Sequence, residues 1–371
     1  MRFPEFSGEW EEEQLDSIAT LSKGIGISKE QLSEDGEPCI LYGELYTKYK
    51  SEIIKQVESK TDIDCSKLKR SKANDVIIPC SGETAVDIAT ARCVPFDNIL
   101  LGGDLNMISL HKYDGAFMSY QLNGKRKYDI ARVAQGVSVV HLYGEHLKAI
   151  KTYNPSLPEQ QKIAKLLSLI DERIATQNKI IEDLKKLKSA IRKKIFSLLK
   201  DEYTKSFEIN QLLDYEQPTA YIVANDEYST DTRLTPVLTA NKGFILGYTD
   251  EKNGIYQKGA CIIFDDFTMD AKYVSFPFKV KSSAIKILTA KPNVNLRFMF
   301  EYLSHWELKS EEHKRHYISE ISPLVIELPS KEKQNIIALL MTSLNNKLTI
   351  EEKAKIRYEV QKGYLLSQMF I

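Results

Sequence analysis

The longest uninterrupted feature of the sequence is a predicted helix. Between Ile163 and Leu199 the chain contains neither proline nor glycine. Apolar residues recur there in alternating steps of four and three, which is the spacing of a coiled-coil seam; they are Ile163, Leu167, Ile170, Ile174, Ile181 and Leu184. Gln177 interrupts the seam, and beyond Leu184 the stripe is predicted to shift to Leu187, Ile191, Ile195 and Leu198. A helix of about 35 residues is ~50 Å long, so it requires an equally long partner.

The obvious partner is a second copy of the same segment. One copy begins at Pro155 and the other at Leu328, and each has a proline followed by a polar turn with Glu159 or Glu332. We align Ile163-Leu166-Leu167 with Ile336-Leu339-Leu340, and the ends at Phe196 and Phe370 also match. The second seam is then Leu344, Leu348, Tyr358, Leu365 and Met369, made more polar by Glu351 and Lys355. Each helix follows a globular segment, so antiparallel pairing needs no long crossover. Two unrelated surface helices are the alternative.

This repeat sets the domain organisation, since 371 residues suit two domains of ordinary size. We predict globular domains over residues 1–154 and 201–327, each followed by a long helix, over 155–200 and 328–371. The fold class is α+β, with two mixed α/β domains separated by an antiparallel coiled-coil pair. Strand-like runs are residues 38–42, 75–79, 99–101 and 137–142, then 235–239, 260–264 and 274–280. Helical pieces are predicted at residues 115–122 and 296–308.

The two globular halves contain matching segments. Val76-Ile77-Ile78 mirrors Cys261-Ile262-Ile263, and the segment beginning at Phe117 mirrors the one beginning at Phe298. The halves therefore look like two versions of one module with different surfaces.

Composition limits the classes of function. Lysine plus arginine equals aspartate plus glutamate, with 51 of each, whereas a free-standing nucleic-acid binder usually has a basic excess. DNA binding would then require local basic groups, or partner subunits that supply part of the phosphate contacts. The five cysteines include no C-x-x-C pair, so they are predicted to be small buried residues rather than disulfide or zinc ligands. No apolar run reaches the length of a membrane span, and we expect a soluble cytoplasmic protein.

Several segments of the chain resemble one known protein family. Trp10, Leu15, the loop with Gly24 and Gly26, the strand-like segment from Asp75, and the run AQGVSVVHLYGEHLKAIKTYNPSLPEQQKIAKLL resemble the specificity subunit of type I restriction-modification enzymes. The second half resembles it through HKRHYISEISPLVIELPS and KGYLLSQMF. One departure is that Phe207 stands where the first half has Trp10. Nearly the whole chain is covered, and the repeated proline-led helix is the most specific part.

The resemblance implies a division of labour. Each globular domain would be a target-recognition domain that reads one half of a bipartite, asymmetric double-stranded DNA target. The helices would fix the separation of the domains and dock two modification subunits, which bind S-adenosylmethionine and methylate adenine. ATP-driven restriction subunits, which use ATP and magnesium, would join them. This chain itself would hold no cofactor.

Motifs for intrinsic catalysis are absent from the sequence. There is no G-x-x-x-x-G-K-[ST], H-E-x-x-H, G-x-S-x-G or G-x-G-x-x-G segment. The Asn-Pro-Pro-Tyr and Asp-Pro-Pro-Tyr segments of amino-methyltransferases and the Pro-Asp pair of nucleases are also missing. The six histidines suggest no metal site. We therefore predict a subunit that is not an enzyme.

Candidate DNA contacts are basic and amide side chains in loops with nearby aromatic residues. In the first domain these are Lys125, Arg126 and Lys127, with Arg132 and Gln135 downstream, predicted in one loop; Tyr42 and Lys48 form a second patch. In the second domain the best cluster is Lys314, Arg315, His316 and Tyr317, followed by Asn241, Lys242 and Lys272. For each group an ordinary solvated loop is the alternative. His305 is predicted to be a packed side chain.

A different class of function also fits the neutral charge. The chain could be a coiled-coil scaffold that joins two protein-binding domains without DNA contact. The basic and aromatic loops in both halves favour DNA recognition over this alternative.

Overall fold

The computed structural model describes residues 2–199, 205–240, 243–306, 308 and 314–370. The chain divides into two compact units, Met1–Lys179 with Glu352–Ile371, and Ile180–Glu351. Each unit therefore contains one half of each long helix. Within the described residues, no helix combines the length and the apolar character that crossing a membrane requires.

The first unit consists of short strands and helices before the first long helix. Its strands are β1 (Glu11–Gln14), β2 (Ala19–Lys23), β3 (Glu37–Ile40), β4 (Lys60–Thr61), β5 (Lys69–Arg70), β6 (Asp75–Pro79), β7 (Ser81–Gly82), β8 (Arg92–Val94), β9 (Leu100–Leu101), β10 (Leu105–Leu110), β11 (Val140–His141) and β12 (Lys151–Asn154). Its short helices are α1 (Leu15–Ile18), α2 (Glu44–Thr47), α3 (Ala85–Ile88), α4 (Gly115–Asn123), α5 (Lys127–Val133) and α6 (Gly144–Lys148), and the long α7 (Leu157–Leu199) begins in this unit.

The second unit repeats this order with fewer elements among the described residues. Its strands are β13 (Lys205–Glu208), β14 (Leu213–Glu216), β15 (Thr235–Leu238), β16 (Ile245–Thr249), β17 (Cys261–Asp265), β18 (Ala271–Val274), β19 (Lys279–Val280), β20 (Ile285–Ala290) and β21 (Val325–Leu328). Its helices are α8 (Ile209–Leu212), α9 (Leu296–His305) and the long α10 (Lys331–Met369), with a π-helical turn at Tyr317–Ile321.

Both units have the same central sheet. In the first the strand order is β2-β10-β6-β8, and in the second it is β14-β20-β17-β18, antiparallel throughout. The central strands β6 and β17 are entirely buried, because the apolar runs around Ile77 and Ile263 face core on both sides. In register, Ile77 lies opposite Met107 and Ile263 opposite Ile287. Ile77 therefore matches Ile263, one residue away from the predicted match.

The helices that pack on these sheets begin in the same way. Asp114 caps α4 by accepting a hydrogen bond from the Phe117 N–H, and Asn295 caps α9 by accepting one from the Phe298 N–H. The backbone N–H of Asp114 donates to Oε1 of Gln160, whereas that of Asn295 donates to Oε1 of Gln334. Each short helix is therefore tied to the first turn of a long helix, and the predicted match of Phe117 with Phe298 is confirmed.

The long helices pair antiparallel in each unit, as predicted. In the first unit the start of α7, at Ile163 and Leu167, packs in one cluster with the end of α10, at Leu365 and Met369. In the second unit the end of α7, at Phe196 and Leu199, packs with the start of α10, at Ile337 and Met341. The fold class predicted from the sequence is confirmed.

Two predictions about the seams are wrong. Leu187 and Leu198 are 49% and 46% exposed, whereas Ile191 and Ile195 pack against the core of the second unit as predicted. Lys188 takes the place after Leu184, and Leu199 is buried in place of Leu198. The prediction of Leu187 failed because a lysine occupies that seam position.

The alignment of the two long helices was also one residue out of step. Ile336 and Leu339 are 61% and 70% exposed, whereas Ile337 and Met341 are buried. The side-chain amides of Gln160 and Gln334 donate to Pro155 O and Pro329 O, so these glutamines are the equivalent residues. Glu159 and Glu332 are not equivalent.

Three further local predictions need correction. Residues 274–280 were expected as one strand but form the end of β18 and the separate β19. Residues 137–142 contribute only Val140–His141. Phe207 lies opposite Ile326, which is the place of Glu13 opposite Thr152, so it does not replace Trp10. Four of the cysteines are buried as predicted, and Cys65 is half-buried.

Candidate nucleic-acid interface

The first basic segment is a helix rather than the predicted loop. Helix α5 begins at Lys127, buries Ile130 fully and carries Asp129, which pairs with both neighbouring arginines. The Asp129 carboxylate lies 3.3 Å from Nη1 of Arg126 and 3.2 Å from Nη1 of Arg132. The Arg126 guanidinium also lies over the Tyr153 ring at 5.1 Å. Arg126 is therefore a packed side chain.

The surface of this segment presents the remaining predicted cations. Lys125 and Arg132 are exposed, and Lys127 is half-buried. The exposed ring of Tyr128 lies on the same short helix. Three cationic side chains are thus at least partly exposed on this segment, although Arg132 also pairs with Asp129.

A hairpin follows α5 directly. Gln135 and His141 exchange two backbone hydrogen bonds, of 2.9 and 2.7 Å, and the residues between them are exposed until Val140. Gly136 has a φ of +123°, and a Cβ there would lie 2.1 Å from Val139 O, so the turn requires glycine. Val137 at the tip is 97% exposed. Sequence reasoning missed this apolar tip, although Gln135-Gly136 is a recognisable turn signal.

The hairpin forms one wall of a cleft of about 760 Å³. Tyr42, Tyr46, Glu83 and Asp87 line it, together with Val139. The Tyr46 hydroxyl donates to Ser81 O at 2.9 Å, and burial raises the pKa of Tyr46 well above its usual value, so the hydroxyl stays protonated. The cleft therefore combines aromatic faces with carboxylate acceptors.

The predicted pair of Tyr42 and Lys48 is not brought together at this cleft. Lys48 directly follows α2, and its Nζ lies 2.8 Å from Glu44 Oε1 and donates to Ser59 Oγ at 2.7 Å. The hydrogen bond to Glu44 raises the pKa of Lys48. Tyr42 faces the cleft, whereas Lys48 is engaged by its own helix.

In the second unit the predicted basic cluster divides into exposed and buried residues. Lys314 and Arg315 are exposed, and Lys314 Nζ lies 2.9 Å from Glu320 Oε1. His316 and Tyr317 are 3% and 1% exposed. Tyr317 packs against the rings of Phe264 and Tyr215, so burial raises its pKa. The burial of His316 and Tyr317 conflicts with a direct DNA contact by either side chain.

Asp266 holds this segment in place. Its carbonyl oxygen accepts the His316 N–H at 2.9 Å and its Oδ1 accepts the Tyr317 N–H at 2.8 Å. The π-helical turn then follows, a rare geometry that is frequent at functional sites. Arg315 immediately precedes this anchored turn. Its guanidinium donates no hydrogen bond to any side chain among the described residues.

The remaining predicted residues of this unit lie elsewhere. Lys272 lies half-buried on strand β18, not in the expected loop. Asn241 and Lys242 lie outside the described residues. His305 packs on Phe196 with ring centroids 5.0 Å apart, as predicted. Within the part of the chain that the structure describes, no group of three His, Cys, Asp or Glu side chains could hold a metal ion.

Comparison with known proteins decides the family. The family model for the type I restriction modification DNA specificity domain matches residues 7–186 and again residues 201–360. The chain belongs to this family. The two matches correspond to the two copies of sheet and long helix described above, and the family is defined by DNA specificity rather than by catalysis.

Individual relatives agree with this assignment. The specificity subunit of the type I restriction enzyme EcoR124I/EcoR124II from Escherichia coli is 39% identical over 178 residues, covering 43% of each protein. The chain therefore spans less than half the length of this curated relative. The crystal structure of the type I restriction-modification S subunit from M. genitalium is 17% identical, with a TM-score of 0.68, covering 100% of this chain and 99% of that one.

A second solved structure shares the fold. It is described as the structural basis of complex assembly and conformational transition of the type I R-M system, and its matching chain is 11% identical with a TM-score of 0.56. The match covers 97% of both chains. At this identity the likeness concerns the fold alone.

Proposed function

We propose that this chain is the specificity subunit of a type I restriction-modification complex and reads a bipartite, asymmetric DNA target. The observation that carries the proposal is the double match to the DNA specificity family, over two halves with the same central sheet and a long helix each. Two related but different domains suit two different half-targets. The chain itself is no enzyme in this proposal, and it acts in the cytoplasm, where its DNA target would be.

In the first domain, the proposed reading surface is α5 with the adjoining hairpin and cleft. Lys125, Lys127 and Arg132 would contact phosphates, and Gln135 and Tyr42 would approach base edges. Val137 would make apolar contact with a thymine methyl group, as exposed aliphatic side chains do in the major groove. Arg126 and Lys48 are engaged within the domain and would support this surface rather than contact DNA.

In the second domain, Arg315 is the proposed central contact. It lies beside a backbone segment that Asp266 fixes, so its position is restrained before DNA arrives. Lys314 would have to give up its ion pair with Glu320 in order to bind phosphate, so it is a weaker candidate for a DNA contact than Arg315. Asn241, Lys242 and Lys272 remain predictions without further support.

The long helices are proposed to dock two modification subunits, which bring S-adenosylmethionine, with ATP-driven restriction subunits joining. Apolar side chains are exposed on α10 in both units, at Ile336 and Leu339 in one and at Ile356 and Val360 in the other. Solvent-exposed aliphatic residues on a helix suit a protein interface. The partner subunits also explain how a chain with no net charge could bind DNA, since they would supply part of the phosphate contacts.

A domain replacement tests this proposal. The chain is co-expressed with its modification subunits and the methylated sequences are mapped, before and after residues 207–328 are replaced with those of a relative. One half of the target should change and the other should stay. A change in both halves together would contradict independent reading.

The neutral charge keeps a protein-binding scaffold as the second candidate. A gel-shift assay separates the two functions. The chain with its modification subunits should retard DNA carrying the mapped target more than DNA without it. Absence of retardation with the complete complex would favour the scaffold.

A further inference from the structure

Each domain meets the long helices at a buried polar cluster. In the first unit we define the first joint as Tyr120, Asp171, Lys362 and Glu52. The Tyr120 hydroxyl donates to Asp171 Oδ2 at 2.6 Å. Lys362 Nζ lies 2.7 Å from Asp171 Oδ1 and 2.5 Å from Glu52 Oε2. Tyr120, Asp171 and Glu52 are all buried.

The second unit has a joint at the corresponding place. It consists of Glu301, Arg192, Asn345 and Lys188. Glu301 is fully buried, and its Oε2 accepts hydrogen bonds from Nη2 and Nε of Arg192 at 2.6 and 3.1 Å. Its Oε1 accepts one from Asn345 Nδ2 at 3.3 Å. Burial lowers the pKa of Lys188, and the nearby Glu301 opposes that shift.

The two joints use equivalent positions, but the carboxylate and the neutral polar side chain have changed places between them. Counted in step from Gln160 and Gln334, Asp171 falls opposite Asn345, and Lys188 falls opposite Lys362. Counted from the caps Asp114 and Asn295, Tyr120 falls opposite Glu301. The lysine is common to both joints. At the matched pair of positions, the carboxylate is on the long helix in the first joint (Asp171) and on the domain helix in the second (Glu301).

We propose that these residues are positioning residues that decide which domain fits which half of the helix pair. The domain position (Tyr120 or Glu301) and the helix position (Asp171 or Asn345) together supply one carboxylate to the buried cations. Placing α9 on the first joint would replace the Tyr120 hydroxyl, which donates to Asp171, with the Glu301 carboxylate, which can only accept a hydrogen bond. The two carboxylates would then repel each other directly. Placing α4 on the second joint would set Tyr120 against Asn345, leaving Arg192 and Lys188, which are partly buried, without that carboxylate.

The second joint allows an almost isosteric test. Glu301→Gln removes the carboxylate, Asn345→Asp restores one on the other side, and the double variant combines them. We expect Glu301→Gln to raise the unfolding equilibrium constant by roughly a hundredfold or more, as loss of one partner of a buried pair does. Asn345→Asp should recover at least about tenfold in the Glu301→Gln background, since contacting residues couple. In the native background it should give no such gain, because two carboxylates would meet.

The variants and their control are all measured by denaturant unfolding of the full chain without DNA. Glu182→Gln removes one partner of an exposed pair with Lys186 on the same helix and should have little effect. Additive effects of Glu301→Gln and Asn345→Asp would overturn the proposal, because the two positions would then not share a carboxylate. A Glu301→Gln effect no larger than the control would also overturn it.

A second measurement applies if Glu301→Gln does not fold. In the first joint, Asp171→Asn leaves Glu52 to pair with Lys362, which keeps part of the cluster. Hydrogen exchange of the α4 amides should accelerate at least about tenfold, since the Tyr120 hydroxyl loses its charged acceptor. The matched control is Glu172→Gln, the adjacent residue, whose pair with Lys55 is exposed. Equal exchange in the two variants would overturn the proposal, and neither result depends on DNA binding.

Discussion

Lys362→Met tests how much the buried charges of the first joint contribute to stability. Methionine keeps most of the apolar stem but removes the ammonium group that lies 2.5 Å from Glu52 and 2.7 Å from Asp171. Two buried carboxylates then remain without their cation. Breaking a buried pair in this way costs about 3–5 kcal/mol. For a unit of this size that corresponds to a fall in melting temperature of roughly 6–20 °C.

The matched control is Lys55→Met. Lys55 Nζ lies 3.0 Å from Glu172 Oε1, and both side chains are more than half exposed. Solvent-exposed pairs contribute only about 0.2–1 kcal/mol, so its melting temperature should fall by a few degrees at most. Differential scanning calorimetry of the full chain measures both variants. Equal losses in the two variants would refute the argument that burial makes the first joint important.

The pH dependence gives an independent check on the cause. Burial raises the pKa of Glu52, although Lys362 opposes the shift. A raised pKa means that the folded state holds a proton more tightly than the unfolded chain, so this contribution to stability is present at low pH and is lost as pH rises. Without Lys362 the shift grows. The deficit of Lys362→Met should therefore shrink as the pH falls from about 8 to about 5. A deficit independent of pH would point to lost packing instead.

Three further predictions concern the reading surface, the backbone and the helices. Arg315→Ala should weaken target binding by the assembled complex by about 1–3 kcal/mol in a filter-binding assay, with a smaller effect of Lys314→Ala because Glu320 already engages that lysine. Gly36→Ala should destabilise the chain by ~1–3 kcal/mol in urea unfolding, because φ is +110° and the Cβ would lie 2.2 Å from Thr61 O, whereas Gly26→Ala, with open space around it, should not. Four residues inserted after both Gln177 and Glu351 should lengthen each helix by ~6 Å and the unspecified spacer of the methylated target by about two base pairs. An active enzyme with its original spacer would show that the helices do not set the distance.

The helix pair could be predicted because its signal is local and periodic. An unbroken stretch from Ile163 to Leu199 and its repeat were enough to predict the partner and the antiparallel direction, which the structure confirms within each unit. The first helix is longer than the predicted length of about 35 residues, with 43. The errors arose at polar seam residues. Lys188 is polar, so an apolar pattern does not reveal that it belongs to the seam, and Leu187 was taken in its place. The buried carboxylates that pair with cations of the long helices lie far from those cations in the sequence, so no local pattern reveals the pairs.

The candidate site was harder to predict, because exposure depends on tertiary contacts. Lys314 to Tyr317 is a uniform run of polar and aromatic residues in the sequence, yet the structure buries two of the four. The reason is Asp266, whose backbone and carboxylate hold the segment against the sheet. Likewise, the segment after Arg126 forms a helix that buries Ile130. Asp129 of this helix pairs with both Arg126 and Arg132. Such partners are identifiable only once the fold is known.

The two halves differ in length where their loops lie and agree where their helices lie. From Gln160 to Phe196 and from Gln334 to Phe370 the residues stay in step, whereas matched elements of the globular parts fall progressively out of step. One extra residue in a helix would rotate every later side chain by about 100° and remove the seam from its partner. Extra residues in a surface loop cost little, because closure entropy grows slowly with loop length. Changes of target sequence are therefore expected to accumulate in the loops around the sheets, and changes of spacing only in steps that return the seam to the same face.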